Sequence, residues 1–296
     1  MRSTLFILIG VSSLLMGCLP EPEAAIDEAT VLGDNTSVRI DATSAARTMF
    51  TLDRGERVSI LEKRGTWYRI RDREQIEGWM DESTVLTDRT LESMRAELAR
   101  SASQQVQNTA RAREQVNLRV NPGRDTAIVR RLRRGTVLEV LDRSTTARPD
   151  SDETDIWFKV RPSEDEIGWV YSRLIEFDTP AALAGFTEGR TYVAVQELRQ
   201  VEDPEAGVAT WYVVAERRAD TEVDVAYDGI RVFVWNLPEH QYETTLRLRN
   251  LRGLYPLELT GDAESPGFRF HMEGSGGQPV ARDFVMRQTL PREVTN

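Results

Sequence analysis

The sequence predicts a mainly β protein, in which two small barrels joined by a helix precede an antiparallel β-sandwich or barrel domain. The first observation is a repeat: "WYRIRDREQIEGWM" at 67–80 returns as "WFKVRPSEDEIGWV" at 157–170, with its tryptophans equally spaced. The second is the alternation of apolar and polar residues in short segments bounded by Gly, Asp and Pro, which is typical of half-buried strands. The third is a series of further strand patterns after residue 178.

The N-terminal residues predict an export signal. Arg2 precedes a short apolar stretch, Leu5 to Met16, and about a dozen apolar residues are too few for a stable transmembrane helix, which needs ~20. The stretch ends in Leu15-Met16-Gly17-Cys18, which resembles the lipobox of bacterial lipoproteins. That resemblance implies a signal peptide at 1–17 and a lipid on Cys18; the alternative is a plain signal peptide with an incidental cysteine.

Cysteine usage agrees with lipidation. Cys18 is the only cysteine in the sequence, so it has no internal disulfide partner. A lipid on Cys18 would make the membrane a partner of the protein. Leu19 follows in place of the Asp that signals retention in some enteric bacteria, which favours the outer membrane. We therefore expect a protein of the bacterial cell envelope, lipid-anchored, with its domains in the periplasm or at the cell surface.

Residues 18–35 are rich in Pro, Glu and Asp and show no apolar periodicity, which predicts a flexible acidic tether. The repeat then extends further, because "VRIDATSAARTMFTLDRG" at 38–55 aligns without gaps to "LRVNPGRDTAIVRRLRRG" at 118–135. About ten extra residues before Trp157, rich in Pro, Ser and Asp, predict a longer hairpin loop in the second copy. We expect domains at 36–87 and 116–177, each a small barrel of about five strands.

Both copies resemble bacterial SH3 domains. The second copy carries the family's pattern in "VNLRVNPG", "RRGTVLEVL", "WFKV" and "GWVYSRLI". The first copy departs from it, because "VRIDATSA" lacks a counterpart of Pro122-Gly123. The resemblance implies SH3-like barrels that act as targeting modules, as in many exported cell-wall hydrolases.

A helix is predicted between the copies, in a linker at 88–115. This stretch contains neither Pro nor Gly, and Leu91, Met94 and Leu98 lie on one face of a helix from Thr90 to about Ala110. Thr90 is the expected N-cap, and the helix is either a spacer or packed on a barrel. Residues 178–296 then predict an all-β domain of unrecognised family, in which most of the negative charge is concentrated.

Composition argues against several functions. The net charge of −10, from 38 basic and 48 acidic residues, disfavours a nucleic-acid partner. A Cys-His peptidase would need Cys18, which the lipid occupies. The two histidines, His240 and His271, lack the spacing of zinc ligands. We therefore expect no enzyme activity, no metal site and no cofactor.

Binding is the function that the aromatic residues predict. Aromatic side chains recur at matched places in the two copies and suit stacking on peptides or sugars. Successive aromatics in a strand face opposite sides, and the Trp after Gly is expected to lie partly exposed. With the loop of the second copy, the ligand-binding candidates are Trp67, Tyr68, Trp79, Asn121, Pro122, Trp157, Phe158, Trp169 and Tyr171.

Three functions are compatible with these observations. The leading one is binding of peptidoglycan stem peptides or an envelope protein by the tandem barrels, without catalysis. The second is a structural scaffold of an envelope complex with no wall ligand. The third is an unrecognised cell-wall hydrolase in the C-terminal domain.

Overall fold

The computed structural model describes residues 23–148 and 151–294. The predicted signal peptide, Cys18 and the first part of the tether lie outside the described residues. Strands make up 58% of the structure and helices 9%, which confirms the mainly β prediction. Within the described ranges, no helix is both long and apolar enough to cross a membrane.

The first barrel is an antiparallel sheet of seven strands in the order β3-β2-β6-β5-β4-β1-β7. A single 3-10 turn, Glu82–Thr84, separates the last two strands. Alternate residues of the strands face a small core that includes Val38, Ile60 and Ile70. The strands are β1 Asp27–Val31, β2 Thr36–Arg39, β3 Thr48–Leu52, β4 Arg57–Arg64, β5 Trp67–Arg71, β6 Glu77–Asp81 and β7 Val85–Thr87.

The second barrel repeats this topology strand for strand, in the order β10-β9-β13-β12-β11-β8-β14. Its longest strands, β11 and β12, form the extended hairpin that the insertion predicted. The strands are β8 Asn108–Ala112, β9 Val116–Arg119, β10 Ile128–Leu132, β11 Val137–Ala147, β12 Thr154–Ser163, β13 Glu166–Tyr171 and β14 Ile175–Phe177.

Both barrels begin earlier than the sequence indicated. Asp27–Val31 forms a strand where a flexible tether was expected, and Asn108–Ala112 forms one where a helical linker was expected. In each segment small apolar residues alternate with polar ones, so that Ala29 and Ala110 are buried in the barrel cores. With only two apolar residues apiece, these strands depend on pairing with β4 and β11, which local sequence does not show.

The one α-helix among the described residues, α1, spans Asp88–Arg100 and is therefore shorter than predicted. Thr87, not Thr90, is its N-cap, because the Thr87 hydroxyl oxygen accepts from the backbone N of Thr90 at 3.2 Å. Met94 is buried in the core of the second barrel. Ion pairs join both helix ends to a barrel, Asp88 to Arg57 at 2.7 Å and Glu97 to Lys159 at 2.7 Å, so α1 is packed rather than solvated.

The C-terminal domain is one antiparallel sheet whose seven strands follow each other in sequence order. Its larger core lies on one face. A second cluster on the other face, around Tyr192 and Phe233, includes Leu183 from the 3-10 segment Ala181–Phe186. The strands are β15 Thr191–Asp203, β16 Gly207–Arg217, β17 Tyr227–Asn236, β18 Gln241–Gly261, β19 Pro266–Glu273, β20 Pro279–Arg287 and β21 Leu290–Val294.

The linker segment 104–108 joins the second barrel to this domain. The backbone N of Gln107 donates to Val140 O at 2.7 Å, and its carbonyl accepts from the backbone N of Val195 at 2.7 Å. The fully buried Gln107 side chain also accepts from the backbone N of Leu257 at 2.7 Å. Tyr255 packs against the cores on both sides. The two domains therefore share a continuous packed interface.

Candidate functional site

The candidate site lies on the outer surface of the second barrel, where strands β12 and β13 pair. Trp157 is opposite Tyr171, and Lys159 is opposite Trp169. These four side chains therefore share one face of the sheet. The rings of Trp157 and Tyr171 are 5.5 Å apart between centroids. We call the surface formed by Trp157, Tyr171 and the adjoining Arg124 the aromatic face.

A buried carboxylate organises this face. Asp155 is 1% exposed and accepts from Arg124 Nε at 2.5 Å and from Arg148 Nη2 at 2.8 Å. The Arg124 guanidinium thereby lies 5.0 Å from the centroid of the Tyr171 ring, which is cation–π geometry. The hydrogen bond from Arg124 is the main reason that the pKa of Asp155 is lowered to about 2. The carboxylate thus joins the loop after β9 to the hairpin of β11 and β12.

The loop after β9 is held in one conformation. Gly123 adopts a positive φ of 133°, a region that side chains other than Gly rarely enter. The Thr126 hydroxyl donates to Asn121 O at 2.6 Å and to Gly123 O at 3.0 Å. Asn121 is exposed and Pro122 is half-buried. The predicted loop residues Asn121 and Pro122 therefore lie just before Arg124, which sequence reasoning had not singled out.

The extended hairpin covers one of the predicted aromatics. Trp157 is 3% exposed, and its Nε1 donates to the Thr146 hydroxyl at 3.0 Å. Trp67, its counterpart in the first barrel, has a shorter hairpin beside it and is half-buried. Tyr171 is half-buried and is the more accessible of the two rings of the aromatic face. The buried Trp157 ring packs against the Tyr171 ring.

The prediction that the Trp after Gly lies partly exposed is wrong. Trp79 is 6% exposed and Trp169 is 9% exposed. Each indole faces outward but is covered by a cation, Trp79 by Arg64 of strand β4 at 4.4 Å and Trp169 by Lys159 of the paired strand β12 at 5.5 Å from the ring centroid. Long basic side chains can cover an aromatic ring with their stems, and this cover depends on the fold rather than on the local residue pattern.

Two other candidates belong to the cores. Phe158 is 6% exposed and contacts Phe177 edge-to-face, with centroids 5.0 Å apart. Tyr68, its counterpart in the first barrel, is 8% exposed and lies in that barrel's core. Both face away from the outer surface that carries Trp157 and Trp67, as strand alternation requires. They are therefore not part of the aromatic face.

The first barrel lacks an equivalent face. The position of Tyr171 is occupied by Asp81, which lies opposite Trp67 across strands β5 and β6. Asp81 caps the following 3-10 turn and forms an ion pair of 3.4 Å with Arg131 of the second barrel. The position of Arg124 is occupied by Ser44. This part of the first barrel therefore faces its sister domain and has neither the tyrosine nor the arginine.

The Asp155 cluster predicts an acid-dependent loss of stability. Because folding lowers the pKa of Asp155 from its ordinary 3.8 to about 2, the ionised form contributes stability above pH 4. That contribution is lost as the pH falls towards 2. Asp155→Asn should lower the free energy of unfolding by about 1–2 kcal/mol at neutral pH. This is less than the whole pKa shift would contribute, because solvent screens the Arg124 side chain, which is 46% exposed.

Urea unfolding of the wild type and of Asp155→Asn near pH 7 and near pH 2 measures this effect. The difference should be present at neutral pH and nearly absent near pH 2. Asp152→Asn is the control, because Asp152 is exposed in the same hairpin. An equal difference at both pH values would contradict the ion-pair explanation.

Both histidines contact a carboxylate of the C-terminal domain. His240 Nδ1 lies 2.8 Å from Asp203 Oδ2, and this contact raises the pKa of His240. Asp203 also accepts from Trp235 Nε1 at 2.7 Å and from two backbone N–H groups. His271 Nε2 lies 3.1 Å from Glu258 Oε2. Among residues 23–148 and 151–294, no group of three or more His, Cys, Asp or Glu side chains forms a metal-binding arrangement.

The fold and the repeated topology define a protein with two small SH3-like barrels, and comparison with family models agrees. Residues 34–85 and 114–176 each match the model described as a bacterial SH3 domain. The chain therefore contains two bacterial SH3 domains, as the repeat predicted. Both matches fall within the barrels, and neither extends into the C-terminal domain. No curated protein matches the chain.

Solved structures give weaker similarities. NlpC2 from Trichomonas vaginalis aligns at 10% identity over 78% of this chain and 99% of its own, with a TM-score of 0.19. NlpC1 from the same organism aligns at 11% identity over 92% of each chain, with a TM-score of 0.20. An NlpC/P60 family protein from Bacillus cereus ATCC 10987 aligns at 12% identity over 76% and 99%, with a TM-score of 0.18. These scores are too low to carry an argument about fold or activity.

Proposed function

We propose that this protein is a non-catalytic, lipid-anchored component of the bacterial cell envelope. In this proposal the second SH3 domain binds a cell-wall peptide or an envelope protein through the aromatic face. The observation that carries the proposal is the organisation of Tyr171 and Arg124 by the buried Asp155. An accessible ring beside a fixed guanidinium is the combination that recurs at binding hot spots.

The first SH3 domain has a positioning role in this proposal. Its Asp81 contacts Arg131 of the second domain, and its Arg57 holds the start of α1 through Asp88. Glu23, the first described residue, accepts from Arg69 Nη2 at 2.7 Å, and its carbonyl accepts from Arg71 at 3.0 Å. The described chain thus begins on the surface of this domain.

This starting point sets the distance to the membrane. Cys18 precedes Glu23 by only five residues in the sequence, and five residues span at most ~18 Å. A lipid on Cys18 would therefore hold the first SH3 domain close to the bilayer.

Replacing Cys18 tests the anchor. Cys18→Ser removes the sulfur that carries the lipid, so the protein should move from the membrane pellet to the soluble envelope fraction. Immunoblots of the two fractions measure the shift. Ser13→Ala, which alters the apolar stretch but keeps Cys18, should stay in the pellet. Equal membrane association of Cys18→Ser and the wild type would contradict the anchor.

Replacing Tyr171 tests the binding face. Tyr171→Asp introduces the residue that the first domain has at this position, so the fold should tolerate it, while the accessible ring is lost. Binding to purified peptidoglycan, measured by co-sedimentation, should weaken by about tenfold or more. Tyr242→Phe, a change in the C-terminal domain, should bind like the wild type.

The same co-sedimentation experiment distinguishes wall binding from the scaffold and hydrolase functions. A wild-type protein that stays in the supernatant would contradict wall binding and favour the scaffold function. New soluble muropeptides in the supernatant would reveal a hydrolase and overturn the non-catalytic proposal. Bound protein with no new products is the result we expect.

A further inference from the structure

A separate cavity lies between the second SH3 domain and the C-terminal domain. Its volume is about 190 Å³, comparable to about six waters. It opens at the surface on the far side of strand β12 from the aromatic face, because Phe158 lines it and Trp157 does not. The lining residues are Arg143, Ile156, Phe158, Ser172 and Phe177 from the SH3 domain, and Thr191, Val193, Arg217, Arg218 and Ala219 from the C-terminal domain.

Two of the three arginines in this cavity lack an acidic partner. Among the described residues, no carboxylate oxygen lies within 4.0 Å of a nitrogen of Arg143 or Arg217, whereas Arg218 pairs with Asp228 at 2.6 Å. Arg217 is satisfied by backbone carbonyls, including those of Thr221 at 2.9 Å and Glu222 at 3.1 Å. Arg143 is different, because a single bond to Val223 O uses one of its five N–H groups.

The electrostatics of the cavity favour an anion. Burial, together with the nearby positive charge of Arg217, lowers the pKa of Arg143 to about 10. Burial also lowers the pKa of Arg217. Both guanidiniums nevertheless stay charged at neutral pH. A negative group placed between them would offset their mutual repulsion and supply the acceptors that Arg143 lacks.

The remaining wall is apolar. The rings of Phe158 and Phe177 meet edge-to-face beside the cavity, with centroids 5.0 Å apart. Val193 is 2% exposed and Ile156 is half-buried. The Ser172 hydroxyl is a further polar group at the lining. One charged end and one apolar end suit a monoanion with a short hydrocarbon body better than a phosphate, which is hydrophilic on all sides.

We propose that this cavity binds a small carboxylate ligand, with the carboxylate on Arg143 and a short apolar body against Phe158 and Phe177. The inference goes beyond the proposed function, because the cavity and the aromatic face share no residue. The ligand has about six to nine non-hydrogen atoms, as the volume allows. Two sources have this chemistry: the C-terminal residue of a peptide and a free short-chain carboxylic acid.

Calorimetric titration of the whole protein tests the proposal with two matched pairs of probes. N-acetylalanine and its neutral amide represent a peptide end, and hexanoate and hexanamide represent a free acid. At least one acid should bind, and its amide should bind at least about tenfold more weakly, since a charge-assisted hydrogen bond is lost. The acid that binds more tightly identifies the source.

Variants place the binding at the cavity. Arg143→Gln should weaken the acid about tenfold or more, Arg143→Lys should keep part of the affinity, and Arg113→Gln, at an exposed site, should change nothing. Thermal melting of each variant checks that it is folded. The proposal is overturned if neither acid binds at millimolar concentration, if acid and amide bind alike, or if a folded Arg143→Gln variant binds as the wild type does.

Discussion

Gly168→Ala should destabilise the second SH3 domain by about 2–4 kcal/mol, a large effect for adding one methyl group. A Cβ at Gly168 would lie 2.6 Å from Arg119 O and 2.9 Å from the Leu118 side chain. The carbonyl belongs to strand β9, which pairs with β13 at this point, so it cannot retreat without opening the sheet. This contact explains why Gly precedes Trp in the repeated motif.

Chemical denaturation followed by tryptophan fluorescence measures the loss. Gly78→Ala should act similarly in the first domain, where a Cβ would lie 2.4 Å from Val38 Cγ1 and 3.1 Å from Arg39 O. Gly185→Ala is the matched control, because a Cβ there has no heavy atom within 4 Å. Equal stability of all three variants would show that the two strands are not in the close contact described.

Gln107→Ala should lower the free energy of unfolding by about 2–3 kcal/mol and weaken the coupling between the second SH3 domain and the C-terminal domain. The change removes the acceptor of the Leu257 backbone N–H, at 2.7 Å, and an unpartnered buried N–H costs about 1–3 kcal/mol. The lost side-chain volume in a fully buried position adds to this cost.

Differential scanning calorimetry measures both effects. The variant should melt at a lower temperature, with the C-terminal domain separating as its own transition. Gln115→Ala, at an exposed position just before strand β9, should melt like the wild type. A single unshifted transition for Gln107→Ala would mean that the interface around segment 104–108 contributes little to the folded protein.

The repeat made much of the fold predictable. Two tryptophans at a fixed spacing, a Gly before the second and alternating residues between them follow from pairing of β5 with β6 and of β12 with β13. The ten-residue insertion predicted a longer hairpin, which the structure has. These features are local, because adjacent strands joined by a short turn are set mainly by nearby residues.

The first strand of each barrel was missed because it pairs at long range. Asp27–Val31 joins β4 and β7, and neither partner follows directly in the sequence. Its acidic flank also made a disordered tether the better interpretation of composition. The end of α1 was missed for a related reason, since the tertiary contacts of Gln107 decide the conformation of residues 104–108.

The candidate site was predicted in part. Trp157 and Tyr171 do lie together, but the residues that fix them, Arg124 and Asp155, were not foreseen. Asp155 lies two positions before Trp157 inside a Pro-, Ser- and Asp-rich stretch, where an acidic residue is ordinarily solvated. Only the fold shows that two arginines from separate loops meet it. Burial of Trp169 likewise depends on Lys159 from the paired strand.

The duplicated domains have diverged at two matched positions of this face, and the position of the tyrosine distinguishes the roles proposed for them. Tyr171 in the second domain and Asp81 in the first occupy the same place in the topology. The first domain uses it to contact its sister, and the second leaves a ring accessible beside Arg124. We infer that the duplication separated positioning from binding.

Nuclear magnetic resonance of the protein, titrated with solubilised peptidoglycan fragments, tests the binding face most directly. We expect the resonances of the Trp157 indole N–H, Tyr171 and Arg124 to shift together and saturably, while those of the counterparts around Trp67 and Asp81 stay unchanged. Shifts confined to the first SH3 domain or to the C-terminal domain, or no shifts at all, would contradict this expectation.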